Sequence, residues 1–306
     1  MLRISIRGQP VSGEQLPLFG GEWTRQKLDM LRRYLGAYVK VLKNQHFEQL
    51  YIDAFAGTGY VEVAQTEHDR GFFAPELAED EPQQFFEGSA SMALQIHPPF
   101  HRYIFIEQSP SRFEKLLRLR DRFARLGDRM EFVQGDANTV LQGLCERWNR
   151  GGMRGVLFLD PFGMQVDWTT LEGVARTRAI DVWILFPLGI GVNRLLPRHG
   201  KIPDGWRARL TRVFGTDDWY DEFYRPARTR PLFGEAAIIK TGSYNAIADY
   251  YQDRLRTVFP AVAANPKVLQ NCRGMPLFLL CFAVGNDSPN AIGAALRISE
   301  HILGKA

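Results

Sequence analysis

Leu50-Tyr51-Ile52-Asp53-Ala54-Phe55-Ala56-Gly57-Thr58-Gly59 is the stretch whose reading decides the fold. Tyr51, Ile52, Ala54 and Phe55 form a short, mostly apolar run, the pattern of a strand buried on both faces of a parallel sheet. Gly57 and Gly59 then let the backbone turn sharply and approach a ligand with no Cβ in the way. A strand running into a glycine turn is the ligand-binding corner of an open α/β sheet, although Gly-x-Gly turns also occur in ordinary loops. A dinucleotide fingerprint wants a third glycine and an immediate helix. Glu62 stands at that third position and no helix starts there, so a NAD reading is weak.

Working outward, the chain has 306 residues with 45% hydrophobic content, enough for one large core or two small ones. No apolar run approaches the roughly twenty residues of a membrane span. The start, Met1-Leu2-Arg3-Ile4-Ser5-Ile6-Arg7, lacks the apolar stretch of a secretion signal. Cys145, Cys272 and Cys281 are too widely spaced for a metal knuckle or a disulfide framework, so no metal site is expected and a cytoplasmic compartment fits. The net charge of +4 and pI near 9.0 suit an acidic partner such as DNA or RNA. The excess of arginine over lysine fits genome composition equally well.

Before the decisive stretch, residues 1–21 read as an irregular arm rich in glycine and proline. Residues 22–306 then form one domain carrying two insertions. Thr24 reads as a helix cap, and Leu28, Leu31, Leu35, Tyr38 and Leu42 follow at helical spacing. Lys27, Arg32, Arg33 and Lys40 share this helix. They read either as its basic solvent face or, for Lys27 with Trp23, as the rim of a ligand site. After Gly59, residues 60–87 are polar and read as a loop or lid. Gly88-Ser89 opens a helix through Met92 and Ile96; its amides suit an anion, or Ser89 is a plain cap.

Strands with acidic ends follow in series. Tyr103-Ile104-Phe105-Ile106-Glu107 delivers Glu107, the position whose acid takes ribose hydroxyls in nucleotide-binding α/β folds. A helix over 111–126 carries Arg118, Arg120, Arg122 and Arg125, a solvated face or a nucleic-acid groove. Glu131-Phe132-Val133-Gln134 leads to Gly135-Asp136-Ala137-Asn138, where Asp136 can also serve as a turn residue capping the next helix. Gly155-Val156-Leu157-Phe158-Leu159 delivers Asp160-Pro161-Phe162-Gly163 to the carboxyl edge of the sheet, where ligands bind. Ile180 to Phe186 is a fifth strand. The segment 189–240 breaks the rhythm with a helical insertion mixing Arg194, Arg198, Arg207 and Arg212 with Trp206, Trp219, Tyr220 and Phe223. Such a mixture either stacks bases and holds phosphates or packs a small helical subdomain. A helix from Tyr244 to Phe259, a short strand between Ala261 and Leu269, a buried strand from Pro276 to Val284, and a helix over 290–302 complete the chain.

The form Asp53-x-Phe55-x-Gly57-x-Gly59 resembles motif I of class I methyltransferases, which bind S-adenosylmethionine (SAM). The resemblance implies a Rossmann-like, mostly parallel seven-stranded sheet with an antiparallel last strand and helices on both faces. It implies a cofactor held by Asp53, Phe55, Ala56, Gly57, Thr58, Gly59, Ser89, Glu107, Asp136 and Ala137, with Asp160 beside it. Gly135-Asp136-Ala137 is similar to the adenine contact of those enzymes. Asp160-Pro161-Phe162-Gly163 resembles motif IV of methyltransferases acting on exocyclic amines of bases, whose common form has two prolines; the single proline here supports methyl transfer better than it supports adenine. The chemistry explains the residue types. Asp160 would accept the hydrogens of an aromatic amine and help free its lone pair, Pro161 would stiffen the turn, and Phe162 would stack on an extruded base. Lys27, Phe162, Arg194 and Trp206 are the candidates for the target rim.

Trp23 to Leu28, Tyr51 to Gly57, Gly88-Ser89, Phe105 to Glu107, Leu159 to Gly163 and Gly274-Met275-Pro276-Leu277-Phe278 occur in an order that resembles the three-Cys-motif partner family, TcmP, of bacterial and phage-associated proteins. That resemblance spans about residues 22–300. It implies a separate partner protein with a three-cysteine motif, of a radical-SAM-like kind, which the cysteines of this chain do not supply. Three functions follow: a SAM-dependent methyltransferase acting on a base amine, a non-catalytic SAM- or nucleotide-binding module for the three-cysteine partner, or a nucleotide-binding enzyme of another class.

Overall fold

In a computed structural model, residues 22–61, 86–227 and 238–304 are described. The arm 1–21 and most of the insertion 60–87 lie outside them.

The strands of the main sheet are β1 (Glu48–Asp53), β2 (Arg102–Glu107), β3 (Met130–Gln134), β4 (Met153–Leu159), β5 (Ile180–Phe186), β6 (Ala261–Val262), β7 (Lys267–Gln270) and β8 (Pro276–Val284). They form one eight-stranded sheet. β1 lies between β2 and β4, all parallel; β3 extends the sheet beyond β2 and β5 beyond β4. β8 runs antiparallel beside β5, and both β6 and β7 pair with its far edge. This is the Rossmann-like order of the methyltransferase class, with the outer strand in two pieces. The expected seven strands are therefore eight. The physical reason is local: the chain leaves the ladder between Val262 and Lys267, where Pro266 has no N–H to donate.

The central parallel strands β1, β2, β4 and β5 are apolar through their middles because both faces are covered, while the edge strand β3 is only partly buried. Tyr51, Tyr103, Phe105, Val156, Phe158, Trp183 and Leu185 point into one core with the helix α1 (Glu22–Leu42). Leu50, Ile52, Ile104, Ile106, Leu157, Leu159, Val182 and Ile184 point into the other. The helices α2 (Ser89–Leu94) and α10 (Pro289–Gly304) join α1 on the first face. The second face is covered by α5 (Ala137–Glu146), α6 (Trp168–Thr177) and α9 (Tyr244–Arg256).

Several local expectations are corrected. α1 starts at Glu22, so Thr24 lies inside its first turn and does not cap it. The single helix expected over 111–126 is broken into α3 (Pro110–Leu116), α4 (Arg118–Arg122) and a 3-10 turn through Gly127, whose φ of 48° ends it. The break keeps Leu116, Leu119, Phe123 and Leu126 buried while Arg118, Arg120, Arg122 and Arg125 face solvent. After β5 come α7 (Asp204–Phe214) and α8 (Trp219–Phe223). Phe214, Trp219 and Phe223 are fully buried there, and the Arg207 guanidinium lies over Trp219 and Tyr220. These aromatics pack a helical subdomain.

Candidate active site

The parallel order puts the carboxyl ends of β4, β1, β2 and β3 side by side, and with them Asp160, Asp53 to Gly59, Glu107 and Asp136. Backbone bonds lock the ends together. Ala54 N donates to Phe158 O at 3.2 Å, Ala56 N to Ile106 O at 2.9 Å, and Gly135 N to Glu107 O at 3.1 Å.

Gly57 and Gly59 have φ of 60° and 77°. A Cβ on Gly59 would lie 2.7 Å from Leu119, whereas one on Gly57 would meet open space. The loop therefore packs on α4 through Gly59 and is open at Gly57. Tyr60–Val61 pairs with Phe86–Glu87, so the chain returns from the insertion beside the glycine turn, and Gly88 N donates to Gly59 O at 3.1 Å.

Asp53 has no exposed surface. Its carboxylate accepts from Tyr51 Oη at 3.2 Å, from Phe55 N at 3.4 Å and from the Ser89 side chain. Burial pushes its carboxyl up to about 7; the Ser89 bond opposes this and the neighbouring charge of Asp160 adds to it. Ser89 is thus turned to Asp53, and the cap of α2 is Gly88, which has no side chain to bond the helix start. Thr58 and Ala56 are buried and Phe55 is half-buried.

Glu107 is buried, and its Oε1 accepts from Ser109 N at 2.7 Å and from Arg112 at 2.9 and 3.1 Å. Asp136 is exposed and caps α5, accepting from Thr139 N at 3.0 Å. Ala137 opens that helix with its side chain in the core.

Asp160 follows β4, and its Oδ2 lies 2.5 Å from Lys27 Nζ. Lys27 is buried, so it belongs to the apolar stripe of α1 and not to a basic solvent face. Pro161 is buried, but Phe162 is 57% exposed. The turn beneath it is built: Phe162 N donates to Gln165 Oε1 at 2.9 Å, and Gly163 takes a φ of 91°. Asn138 braces the same loop, donating to Gln165 O at 2.8 Å and accepting from Asp167 N at 2.9 Å.

Arg194 lies in the turn after Gly191, at which a Cβ would press on the Met164 side chain. Trp206 packs half-buried against the second core. Sequence reasoning missed Tyr51, Arg112, Asn138 and Gln165. Tyr51 had a signal, since it stands two residues before Asp53 on the same strand face; Arg112 and Gln165 also lie close in sequence to their partners Glu107 and Phe162, whereas Asn138 meets its partners only through the fold. Among the described residues no group of three or more His, Cys, Asp or Glu side chains could hold a metal, and no helix is long and apolar enough to cross a membrane. A cavity of about 430 Å³ lined by Glu172, Arg176, Arg178 and Phe259 lies at the opposite, amino edge of the sheet.

No protein-family model and no curated protein matches the chain. Among solved structures it is similar to protein LPL1258 of Legionella pneumophila, described under the family model DUF519, at 12% identity and a TM-score of 0.48 over 93% of this chain and 94% of that one. It is also similar to an O-methyltransferase from Bacillus cereus in complex with SAH, at 13% identity and a TM-score of 0.36 over 83% and 80% of the two chains. A methyltransferase from Geobacter sulfurreducens gives 15% identity and a TM-score of 0.31 over 68% and 76%. The fold itself is defined by the strand order.

Proposed function

We propose that this protein is a SAM-dependent methyltransferase acting on an exocyclic amine of a nucleic-acid base. The observation that carries the reading is Asp160 on the strand beside the glycine loop, followed by a braced turn that holds Phe162 out to solvent. The rim suits the cofactor chemically. Glu107, Asp136 and Asp160 stand along one edge with Asp53 buried beneath it, as a ligand bearing sulfonium and ammonium charges would favour, and a Cβ at Gly57 would meet no neighbouring atom. Glu107 would share its carboxylate between Arg112 and ribose hydroxyls, and Asp136 would face the adenine amine. When bound, SAM supplies an electrophilic methyl group. Asp160 accepts the N–H of the target amine, and Phe162 stacks on the base, which must leave its helix to arrive. Most of the rate comes from holding the amine in line. A three-cysteine-motif protein is the proposed partner, on the sequence resemblance.

A second reading has one observation in its favour: Lys27 already bonds Asp160, as in a module that binds nucleotide without transferring methyl. Calorimetry with SAM separates both readings from a nucleotide enzyme of another class. Tritiated-methyl transfer to DNA and RNA, with and without the partner, separates the first from the second. Asp160→Ala is expected to retain SAM binding and lose turnover by about 10²-fold or more. Loss of binding instead would remove the role given to Asp160.

A further inference from the structure

Lys27 and Asp160 lie at different depths. The lysine side chain is 7% exposed and the aspartate side chain 22%. Lys27 rises from the buried stripe of α1 formed with Thr24, Leu31 and Tyr34, and its Nζ stands 5.2 Å from the Trp23 ring centre and 5.9 Å from that of Phe158. A lysine that merely blocked the site would sit outside the carboxylate and be the more exposed of the two. Here the cation is the more deeply buried partner, and Asp160 keeps the larger exposed fraction. A buried ammonium is tolerated only when paired, so the contact at Oδ2 sets the orientation of the Asp160 carboxylate. Asp160, the carboxylate that Lys27 holds, lies close enough to the buried Asp53 carboxyl for its charge to act on it.

We propose that Lys27 is a positioning residue that holds Asp160 by Oδ2, presenting the rest of the carboxylate to a neutral N–H acceptor. This rests on the methyltransferase reading above and narrows its substrate. With Oδ2 taken by Lys27, Oδ1 is the oxygen left to accept a further hydrogen bond. That oxygen suits a neutral amine, which, unlike a hydroxyl, would attack with its own lone pair as the sulfonium C–S bond breaks and would release its proton to solvent only afterwards.

The test uses the full chain with Lys27→Met, Lys27→Ala, Asp160→Asn and the Lys27→Met/Asp160→Asn pair. In Lys27→Met, kcat is expected to fall about 10²-fold, with KM for the nucleic acid and SAM affinity by calorimetry unchanged. Added n-propylammonium is expected to restore part of kcat in Lys27→Ala, which a purely structural role would not allow. Denaturant unfolding of the cofactor-free proteins is expected to show non-additive losses around the cycle. Digestion of the methylated nucleic acid to nucleosides is expected to place the methyl on a base nitrogen. Wild-type kcat in Lys27→Met, additive losses in the cycle, or methyl on a ribose hydroxyl would overturn the proposal while leaving methyl transfer itself standing. A wild-type protein that neither binds SAM nor transfers methyl would remove the underlying reading as well.

Discussion

Asp53 is a carboxyl with no exposed surface at the end of β1, and its environment sets a pH dependence. Burial raises its folded value to about 7, above the roughly 3.9 of an unfolded aspartate. Between those values the folded state keeps a proton that the unfolded state has lost. Its contribution is therefore fully present below the unfolded value and lost as pH rises through about 7. Asp53→Asn removes this term, so the stability of the variant relative to wild type should rise with pH between about 4 and 7, by up to ~1.4 kcal/mol per pH unit. Urea unfolding of both proteins across that range checks it; a flat difference would mean that Asp53 is charged in the folded state throughout. Lys27 was legible as a residue and not as a role. It stands four residues before Leu31 and seven before Tyr34, in phase with the apolar stripe, and a lysine so placed needs a carboxylate partner. That the partner is Asp160, 133 residues along the chain, no spacing could reveal.

Elements meet at the rim through close backbone contacts. The loop after β5 passes between the Asp160 turn and the start of β8: Gly189 N donates to Leu277 O at 2.9 Å, and Gly191 lies against Met164. A Cβ on Gly189 would run into the Pro276 carbonyl oxygen. Neither backbone can yield without opening the β5–β8 ladder, so Gly189→Ala should cost about 1–3 kcal/mol or more, read as a lowered denaturant midpoint. Gly57→Ala provides the contrast. Its Cβ meets nothing, so the cost is that of a left-handed alanine, about 1–2 kcal/mol, while its position on the open side of the loop should weaken SAM binding in calorimetry. The strands around both glycines were legible because a strand covered on both faces leaves an unbroken apolar run. The helix after β2 was misread as continuous because Leu116, Leu119, Phe123 and Leu126 keep helical spacing across the breaks at Leu117 and Phe123, which only the folded backbone shows.

At the scale of the molecule, one sheet divides two cores, and the ligand edge joins elements from both. α1 reaches that edge from one face and α5 from the other. A ligand held there binds only the folded chain, so SAM at a hundred times its Kd should stabilise the protein by about 2.7 kcal/mol. That appears as a rise in thermal midpoint of several degrees, and SAH should give a comparable rise. No shift with either ligand would count against the cofactor. The insertion after β5, read from sequence as either a recognition surface or a packed subdomain, has its large aromatics inside: Phe214, Trp219 and Phe223 are fully buried. Phe162, by contrast, is exposed at the turn after Asp160.

Strand identity, the glycine turn and the series of acids at strand ends were set by the sequence alone. Each is written within a few consecutive residues: an apolar run needs burial, a left-handed turn needs glycine, and an acid ending an apolar strand lies at the sheet edge. Tertiary structure alone decided which side chains those acids meet. Lys27 with Asp160, Ser89 with Asp53, and Asn138 with the turn below Phe162 are contacts between elements far apart in sequence. Side-chain partners across elements depend on strand order and helix depth, which arise only when the two cores close on the sheet.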